Sequence, residues 1–269
     1  MNAIANCFDQ LRKENKKALI TYLTAGDPDL DFTYAAALSC LQSGADILEL
    51  GVPFSDPLAD GPTIRASAKR ALASGTTFNG VIELVKRLRS VTQAPIVLLC
   101  YYNTICSRGE SSFATTCARA GVSGVIVADL PVSEASNMAN LAANAGLDLI
   151  PLIAPNSTPT QIANAARLAT GFIYCVSVKG VTGVRETLPE TLGKFLASIR
   201  RQTDKPLAVG FGIAHPQQAL QIAHAADGII IGSVLVDLLA TKRNFQAIQP
   251  LLTDFRLALD KTEHDPVKS

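Results

Sequence analysis

The chain has 269 residues, of which 48% are hydrophobic and 17% are charged, with a formal net charge of +1. This composition predicts a soluble protein whose core has the size of one α/β barrel or of two small domains. A net charge near zero gives no indication of nucleic-acid or membrane binding. The first 17 residues are polar, and the six cysteines are scattered without Cys-x-x-Cys spacing. We therefore expect a cytoplasmic protein with inert thiols.

Short apolar and β-branched runs alternate with amphipathic segments along the chain. Helical spacing predicts an N-terminal helix over 2–16, and two helices follow the second strand. The predicted strands are 18–24, 47–50, 95–102, 124–128, 148–153, 172–177, 206–210 and 228–231. The other predicted helices are 31–43, 62–74, 79–90, 111–120, 132–145, 159–169, 192–201, 215–225, 233–240 and 244–260, and the tail 260–269 is expected to be frayed.

The predicted strands are almost continuously apolar, which is typical of strands buried on both faces of a parallel sheet. Strands that alternate with helices over about 250 residues have the size of a (β/α)8 TIM barrel. The alternative, an open doubly wound sheet, requires a Gly-x-Gly-x-x-Gly turn after its first strand. Ala25–Pro28 is not such a turn. We therefore predict one TIM-barrel domain over 1–269, with an extra N-terminal helix and an extra helix after strand two.

Two carboxylates lie in and just after the second strand. Glu49 is flanked by apolar residues, and Asp60 ends a loop rich in Gly and Pro. Because barrel active sites lie at the carboxyl ends of the strands, these two residues form a plausible acid/base pair. Burial would raise the pKa of Glu49. The alternatives are a Glu49 that pairs with a buried Arg or caps a neighbouring loop, and an Asp60 that caps the helix starting at Pro62.

Glycine turns follow the last three predicted strands, at Val181–Gly183, Phe211–Ala214 and Ile231–Val234. The backbone N–H groups of such turns and of the helices after them can bind a phosphate. We expect the long loop 178–188 to form a lid over this phosphate site. Lys179 lies in that polar loop, so a Schiff-base role for it is disfavoured.

The stretch Leu48–Pro62 closely resembles the tryptophan synthase alpha chain family. Shorter matching motifs occur at 24–28, 101–103, 128–131, 180–183, 210–213 and 231–233. The resemblance implies a lyase that cleaves indole-3-glycerol phosphate to indole and glyceraldehyde 3-phosphate. It also implies that this chain has no metal or organic cofactor. The partner would be a beta chain that carries pyridoxal phosphate, in an αββα tetramer that passes indole through a tunnel.

The resemblance assigns roles to individual residues. Glu49 matches the family's catalytic acid/base, and Asp60 matches the carboxylate that accepts the indole N–H. One departure is Tyr22, which puts a hydroxyl into a pocket wall that is commonly Phe. The implied positions are an indole site (Tyr22, Leu99, Tyr101, Ile126, Ala128, Tyr174 and Thr182), a phosphate site (Gly183, Gly212, Ile213, Gly232 and Ser233) and a partner face (Pro53, Phe54, Asp56 and Asn103).

Two other functions are alternatives to this lyase. Another phosphate-binding barrel, such as an indole-glycerol-phosphate synthase or a related isomerase, would typically place Lys or Asp/Cys residues at strand ends. No predicted strand here ends in Lys. A barrel that only activates a beta chain would not need both Glu49 and Asp60, so the intact pair argues against a non-enzyme.

Overall fold

The computed structural model describes residues 2–177, 190–210 and 212–261. The strands are β1 (Ala18–Thr24), β2 (Ile47–Gly51), β3 (Ile96–Cys100), β4 (Gly124–Val127), β5 (Asp148–Leu149), β6 (Leu152–Ile153), β7 (Ile173–Val176), β8 (Leu207–Gly210) and β9 (Gly228–Ile231). The helices are α1 (Ala3–Lys13), α2 (Leu30–Gln42), α3 (Pro62–Ala73), α4 (Phe78–Arg89), α5 (Tyr102–Cys106), α6 (Glu110–Ala120), α7 (Ser136–Ala145), α8 (Pro159–Leu168), α9 (Glu190–Arg200), α10 (Pro216–Ala223), α11 (Ser233–Lys242) and α12 (Ile248–Asp260).

All pairs of neighbouring strands are parallel, in the order β5-β4-β3-β2-β1-β9-β8-β7-β6. The segments β5 and β6 are two halves of the fifth predicted strand. The N–H of Ile150 donates to the carbonyl of Val125 at 3.0 Å, and the N–H of Tyr174 donates to that of Pro151 at 3.0 Å. One half therefore pairs with β4 and the other with β7, which closes the sheet into a barrel. The strand divides here because Pro151 has no N–H to donate.

Successive side chains along each strand face opposite sides of the sheet. One set, which includes Leu48 and Leu50, packs under the surrounding helices. The other set fills the inside of the barrel and includes Ile20, Ile47 and Leu99. Helix α1 joins this inner cluster through three buried residues (Ile4, Phe8 and Leu11). Glu49 lies two residues after Ile47, so the alternation directs its side chain inward as well.

The predicted barrel, with its extra helix α1 and the pair α3 and α4 after β2, is confirmed. Some predicted boundaries were wrong. The third strand ends at Cys100 rather than 102, because the N–H of Tyr102 donates to Asp129 at 2.6 Å and the short helix α5 begins there. Helix α7 begins at Ser136 rather than 132. Helix α12 begins at Ile248 rather than 244, after a 3-10 turn.

Two predicted segments fall wholly or mostly outside the described residues. These are the lid over 178–188, which includes Lys179, and the tail over 260–269, of which 262–269 are not described. Among the helices in the described ranges, none is long and apolar enough to cross a membrane. All six cysteines fall within those ranges, and each is a free thiol.

Candidate active site

A cavity of about 910 Å³ opens at the carboxyl ends of the strands. Both carboxylates singled out in the sequence, Glu49 and Asp60, line it. Its walls are mainly apolar and aromatic, with side chains from β1, β3, β7 and β9 (Tyr22, Leu99, Tyr174 and Ile230). A mostly apolar pocket with a few convergent polar groups is the usual form of a small-molecule site.

Glu49 is a buried carboxyl, and no ion pair to it is found within the described residues. It lies on β2 beside Tyr22 of β1 and Val97 of β3, and only 1% of its surface is exposed. Within the described residues, neither oxygen of its carboxyl group has a hydrogen-bond partner. Burial, and secondarily the nearby carboxylate of Asp60, raise the pKa of Glu49 to about 8. No arginine in the described part of the chain pairs with Glu49.

Asp60 lies at the end of the loop between β2 and α3, where its N–H donates to the carbonyl of Pro57 at 3.1 Å. The residue that caps α3 is Gly61, and no side chain caps this helix. Asp60 is therefore not the N-cap, and this alternative is wrong. Burial raises the pKa of Asp60, while a hydrogen bond from the Tyr101 hydroxyl lowers it. The Tyr101 oxygen also accepts the N–H of Ala59 at 3.2 Å.

Two glycines provide the space for tyrosine hydroxyls next to the cavity. A Cβ atom on Gly51 would lie 2.1 Å from the Tyr22 hydroxyl oxygen, and one on Gly210 would lie 2.4 Å from that of Tyr174. Both distances are far below van der Waals contact. In the sequence, Gly51 only indicates the start of the loop after the predicted strand 47–50, so this role was not predicted. The sequence feature that could have indicated this role is a glycine at the end of one strand, next to a strand with a bulky inward-facing side chain.

The glycine turns after β8 and β9 meet at the same cavity, which Gly212, Ile213, Gly232 and Ser233 line. Gly212 has a φ of +83°, a backbone conformation that favours glycine. Helix α11 begins at Ser233, and its N-cap, Gly232, has no side chain to occupy the free N–H groups. This helix terminus can therefore accept an anion.

The other predicted substrate positions are placed differently. Tyr101 contacts Asp60 and does not line the cavity, while Ile126 is fully buried in the inner cluster and Ala128 packs against it. Thr182 and Gly183 lie outside the described residues. Several lining residues were not predicted from the sequence. They are Ile230 of β9 and three groups that follow or end β2, β6 and β7 (59, 61–64, 154–156, 176 and 177). Their signal is their position at the ends of strands.

The comparison with protein families decides the family. The model for the family described as "Tryptophan synthase alpha chain" matches residues 8–261, almost the whole chain. The chain belongs to the tryptophan synthase alpha chain family.

Relatives and solved structures agree with this assignment. The tryptophan synthase alpha chain of Synechococcus elongatus is 47% identical over 262 residues, which cover 97% of this chain and 98% of the relative. That of Citrifermentans bemidjiense is 50% identical over 236 residues, 88% of each chain. The crystal structure of the alpha chain from Legionella pneumophila subsp. pneumophila superimposes with a TM-score of 0.89 at 33% identity, and covers 98% of this chain and 100% of that chain.

The predicted family, fold and lyase function are confirmed. Tryptophan synthase alpha chains cleave indole-3-glycerol phosphate and pass indole to a beta chain, which is the partner and holds the pyridoxal phosphate of the complete enzyme. No comparison tests the roles of individual residues, so these stay predictions.

The residues predicted to face the beta chain lie beside the site. Phe54 stacks on Tyr101 with ring centroids 5.1 Å apart, which connects this face to the residue that contacts Asp60. Asp56 and Asn103 are exposed. A groove of about 690 Å³, lined in part by Phe54 and Asp56, also contains Leu58, which is 85% exposed. Pro53 is half-buried at the start of the same loop.

Proposed function

We propose that Glu49 and Asp60 are the two reacting carboxyl groups with which this chain cleaves indole-3-glycerol phosphate. The observation that carries the proposal is that both residues line one apolar cavity. The N-terminus of helix α11 and the turn at Gly212 line the same cavity. The cavity therefore offers acid/base groups, a surface for an aromatic ring and an anion site together.

Glu49 is the proton carrier in this proposal. Because its pKa is raised to about 8, the carboxyl group is largely protonated at neutral pH and can donate its proton to C3 of the indole ring. The carboxylate that remains can take the proton of the glycerol hydroxyl next to the scissile bond. The C–C bond then breaks, and its electron pair returns to the ring. The products are indole and glyceraldehyde 3-phosphate.

Asp60 stabilises the positive charge that develops on the ring nitrogen once C3 is protonated, because its carboxylate can accept the indole N–H. Burial raises the pKa of Asp60, and the hydrogen bond from Tyr101 opposes this rise because it favours the ionised form that this role requires. In this proposal the two carboxyl groups have different roles: Glu49 donates a proton, and Asp60 accepts the hydrogen bond of the ring N–H. Two carboxyl groups whose different environments give them different roles are typical of acid/base sites.

The substrate phosphate is assigned to the turn at Gly212 and Ile213 and to the helix terminus at Gly232 and Ser233. Backbone N–H groups and the positive end of the α11 dipole can bind a dianion without a lysine. The predicted contribution of Gly183 belongs to the same proposal. Leu99, Tyr174 and Ile230 would hold the indole ring.

The test is indole release from indole-3-glycerol phosphate, measured with and without a beta chain. We expect Glu49→Gln to lower kcat at least about 100-fold, which is the lower range for removal of a general acid/base. Asp60→Asn should lower kcat by a comparable factor. Glu134→Gln, at an exposed position, is the matched control and should leave kcat unchanged. Unchanged indole release by Glu49→Gln would contradict its assignment.

The beta-chain face is proposed to comprise Pro53, Phe54, Asp56 and Asn103. Its support is the exposed apolar side chain of Leu58 beside the charged Asp56 in one groove. Asp56→Lys should raise the Kd for the beta chain at least about 10-fold, as expected for a charge reversal at an interface, while indole release by the isolated chain stays unchanged. An unchanged Kd would remove Asp56 from the interface.

We also infer a single domain and a cytoplasmic location. The closed barrel, in which the first and last strands are neighbours, supports one folding unit. The six free thiols support a reducing compartment. Fractionation of the source cells, followed by detection of the chain, tests the location, and recovery outside the cytoplasm would contradict it.

A further inference from the structure

A chain of buried hydroxyl groups leads from the cavity wall into helix α3. The Tyr22 hydroxyl lies 3.2 Å from Oγ1 of Thr24, which lies 2.6 Å from Oγ of Ser67. Ser67 Oγ in turn donates to the carbonyl oxygen of Ile64 at 2.8 Å. The exposed fractions of Tyr22, Thr24 and Ser67 are 7%, 4% and 0%. The chain is therefore shielded from solvent along its length.

Counting protons determines the direction of each hydrogen bond. The Ile64 carbonyl can only accept, so the single hydroxyl proton of Ser67 is used there. Thr24 must then donate to Ser67, and Tyr22 must donate to Thr24. Each hydroxyl group has one defined orientation, and the Tyr22 proton points away from the reacting groups. The oxygen of Tyr22 keeps acceptor capacity, while its donor capacity is fully used.

The hydroxyl chain connects the two walls of the cavity. Tyr22 belongs to β1, and Ser67 belongs to α3, which begins at Pro62, two residues after Asp60. Both Tyr22 and Ile64 line the cavity. The loop before α3 is held on one side by Tyr101, on which Phe54 stacks and whose hydroxyl bonds Asp60, while Leu58 is mostly exposed. Helix α3 is the other attachment of Asp60 to the scaffold. Contacts made by α3 are therefore important for the placement of Asp60.

We propose that Tyr22, Thr24 and Ser67 form a positioning unit that holds helix α3 against β1 and thereby fixes Asp60 relative to Glu49. The proposal rests on the proposed function, in which those two carboxyl groups act on one ring. The hydroxyl groups themselves are not catalytic residues, because they act through the position of α3. Displacement of a reacting group by about 1 Å is enough to lower a rate by up to about 100-fold.

The test removes one hydroxyl group at a time, with Tyr22→Phe, Thr24→Val and Ser67→Ala. Each variant should lower kcat for indole release about 10-fold, with a smaller change in KM. The double variant Tyr22→Phe/Ser67→Ala should lower kcat no further than either single variant, because the groups act as one unit. Thr24→Ser, which keeps the hydroxyl, should retain activity close to wild type.

A second readout is independent of activity. Because the charge of Asp60 raises the pKa of Glu49, a displaced Asp60 should lower it. Titration of the Glu49 carboxyl carbon by 13C NMR in the unliganded protein should therefore move to lower pH in Ser67→Ala. Ser123→Ala removes a buried hydroxyl that bonds Arg89 and Ile96, away from the cavity, and is the matched control. It should change neither kcat nor the titration.

Three results would overturn the proposal. Additive losses in the double variant would show that the groups act separately. An effect of Tyr22→Phe without an effect of Thr24→Val and Ser67→Ala would make Tyr22 a direct substrate contact only. A Glu49 titration unchanged in Ser67→Ala would show that Asp60 does not move. In each case Glu49→Gln would still lower kcat for indole release at least about 100-fold, which separates this failure from a failure of the proposed function.

Discussion

Replacing Glu49 with Gln should stabilise the folded protein, and the gain should grow as the pH rises. The pKa of Glu49 is about 8 in the folded protein, against 4.5 for the ordinary side chain. The unfolded chain therefore loses this proton at lower pH than the folded chain does. Between these two values the folded state binds more protons, so its stability falls with increasing pH. Gln carries no charge at any of these pH values and is free of this penalty.

The magnitude follows from the same pKa difference. One pH unit corresponds to about 1.4 kcal/mol, so ionised Glu49 destabilises the folded state by roughly 5 kcal/mol well above pH 8. Near pH 5 the penalty is below about 1 kcal/mol, because the folded carboxyl group is still neutral there. The advantage of Glu49→Gln in free energy of unfolding should thus increase by roughly 4 kcal/mol between pH 5 and pH 9.

Urea denaturation of the wild type and of Glu49→Gln at a series of pH values measures this advantage. Glu134→Gln, at an exposed position, should show no comparable trend and is the control. A difference between wild type and Glu49→Gln that stays constant from pH 5 to pH 9 would refute the reasoning. It would mean that Glu49 has an ionised-state partner that offsets its burial. A stabilised but inactive variant would instead be the expected trade of stability for function.

Two further changes separate the site from the scaffold. Gly212→Ala forces a φ of +83° on a residue with a side chain, so it should lower the free energy of unfolding by about 1 kcal/mol and raise KM for indole-3-glycerol phosphate about 10-fold. Gly146→Ala, with a φ of +80° far from the cavity, is the control and should lower the free energy of unfolding without changing KM. A KM of Gly212→Ala equal to that of the wild type would exclude Gly212 from the phosphate site. Arg89→Met removes hydrogen bonds of 2.7 Å to the carbonyls of Gly121 and Ala94. Urea denaturation should show that the free energy of unfolding falls by at least about 2 kcal/mol, while kcat/KM stays unchanged. A changed kcat/KM would show that Arg89 affects the active site as well as the scaffold.

Much of the architecture could be predicted from local sequence patterns. The bounds of β1 (Ala18–Thr24) and β9 (Gly228–Ile231) agree with the predicted strands, because both runs are apolar and bounded by polar or turn-forming residues. The resemblance of Leu48–Pro62 to one family correctly indicated the activity. Where local signals competed, as at Tyr102, the prediction extended the strand too far, since a side chain from residue 129 decides the start of α5.

The chemistry of the site depends on contacts that no local pattern contains. The sequence by itself determined that Glu49 lies on an apolar strand and that Asp60 follows it in a loop. The facing of Glu49 was left open, because the residues on both sides of it are apolar. Only the tertiary structure decided that Glu49 has no partner in the described residues, because its neighbours come from other strands. The hydroxyl chain joins Thr24 to Ser67 across 43 positions of sequence. Hydrogen bonds and desolvation depend on distance in space, and folding sets that distance.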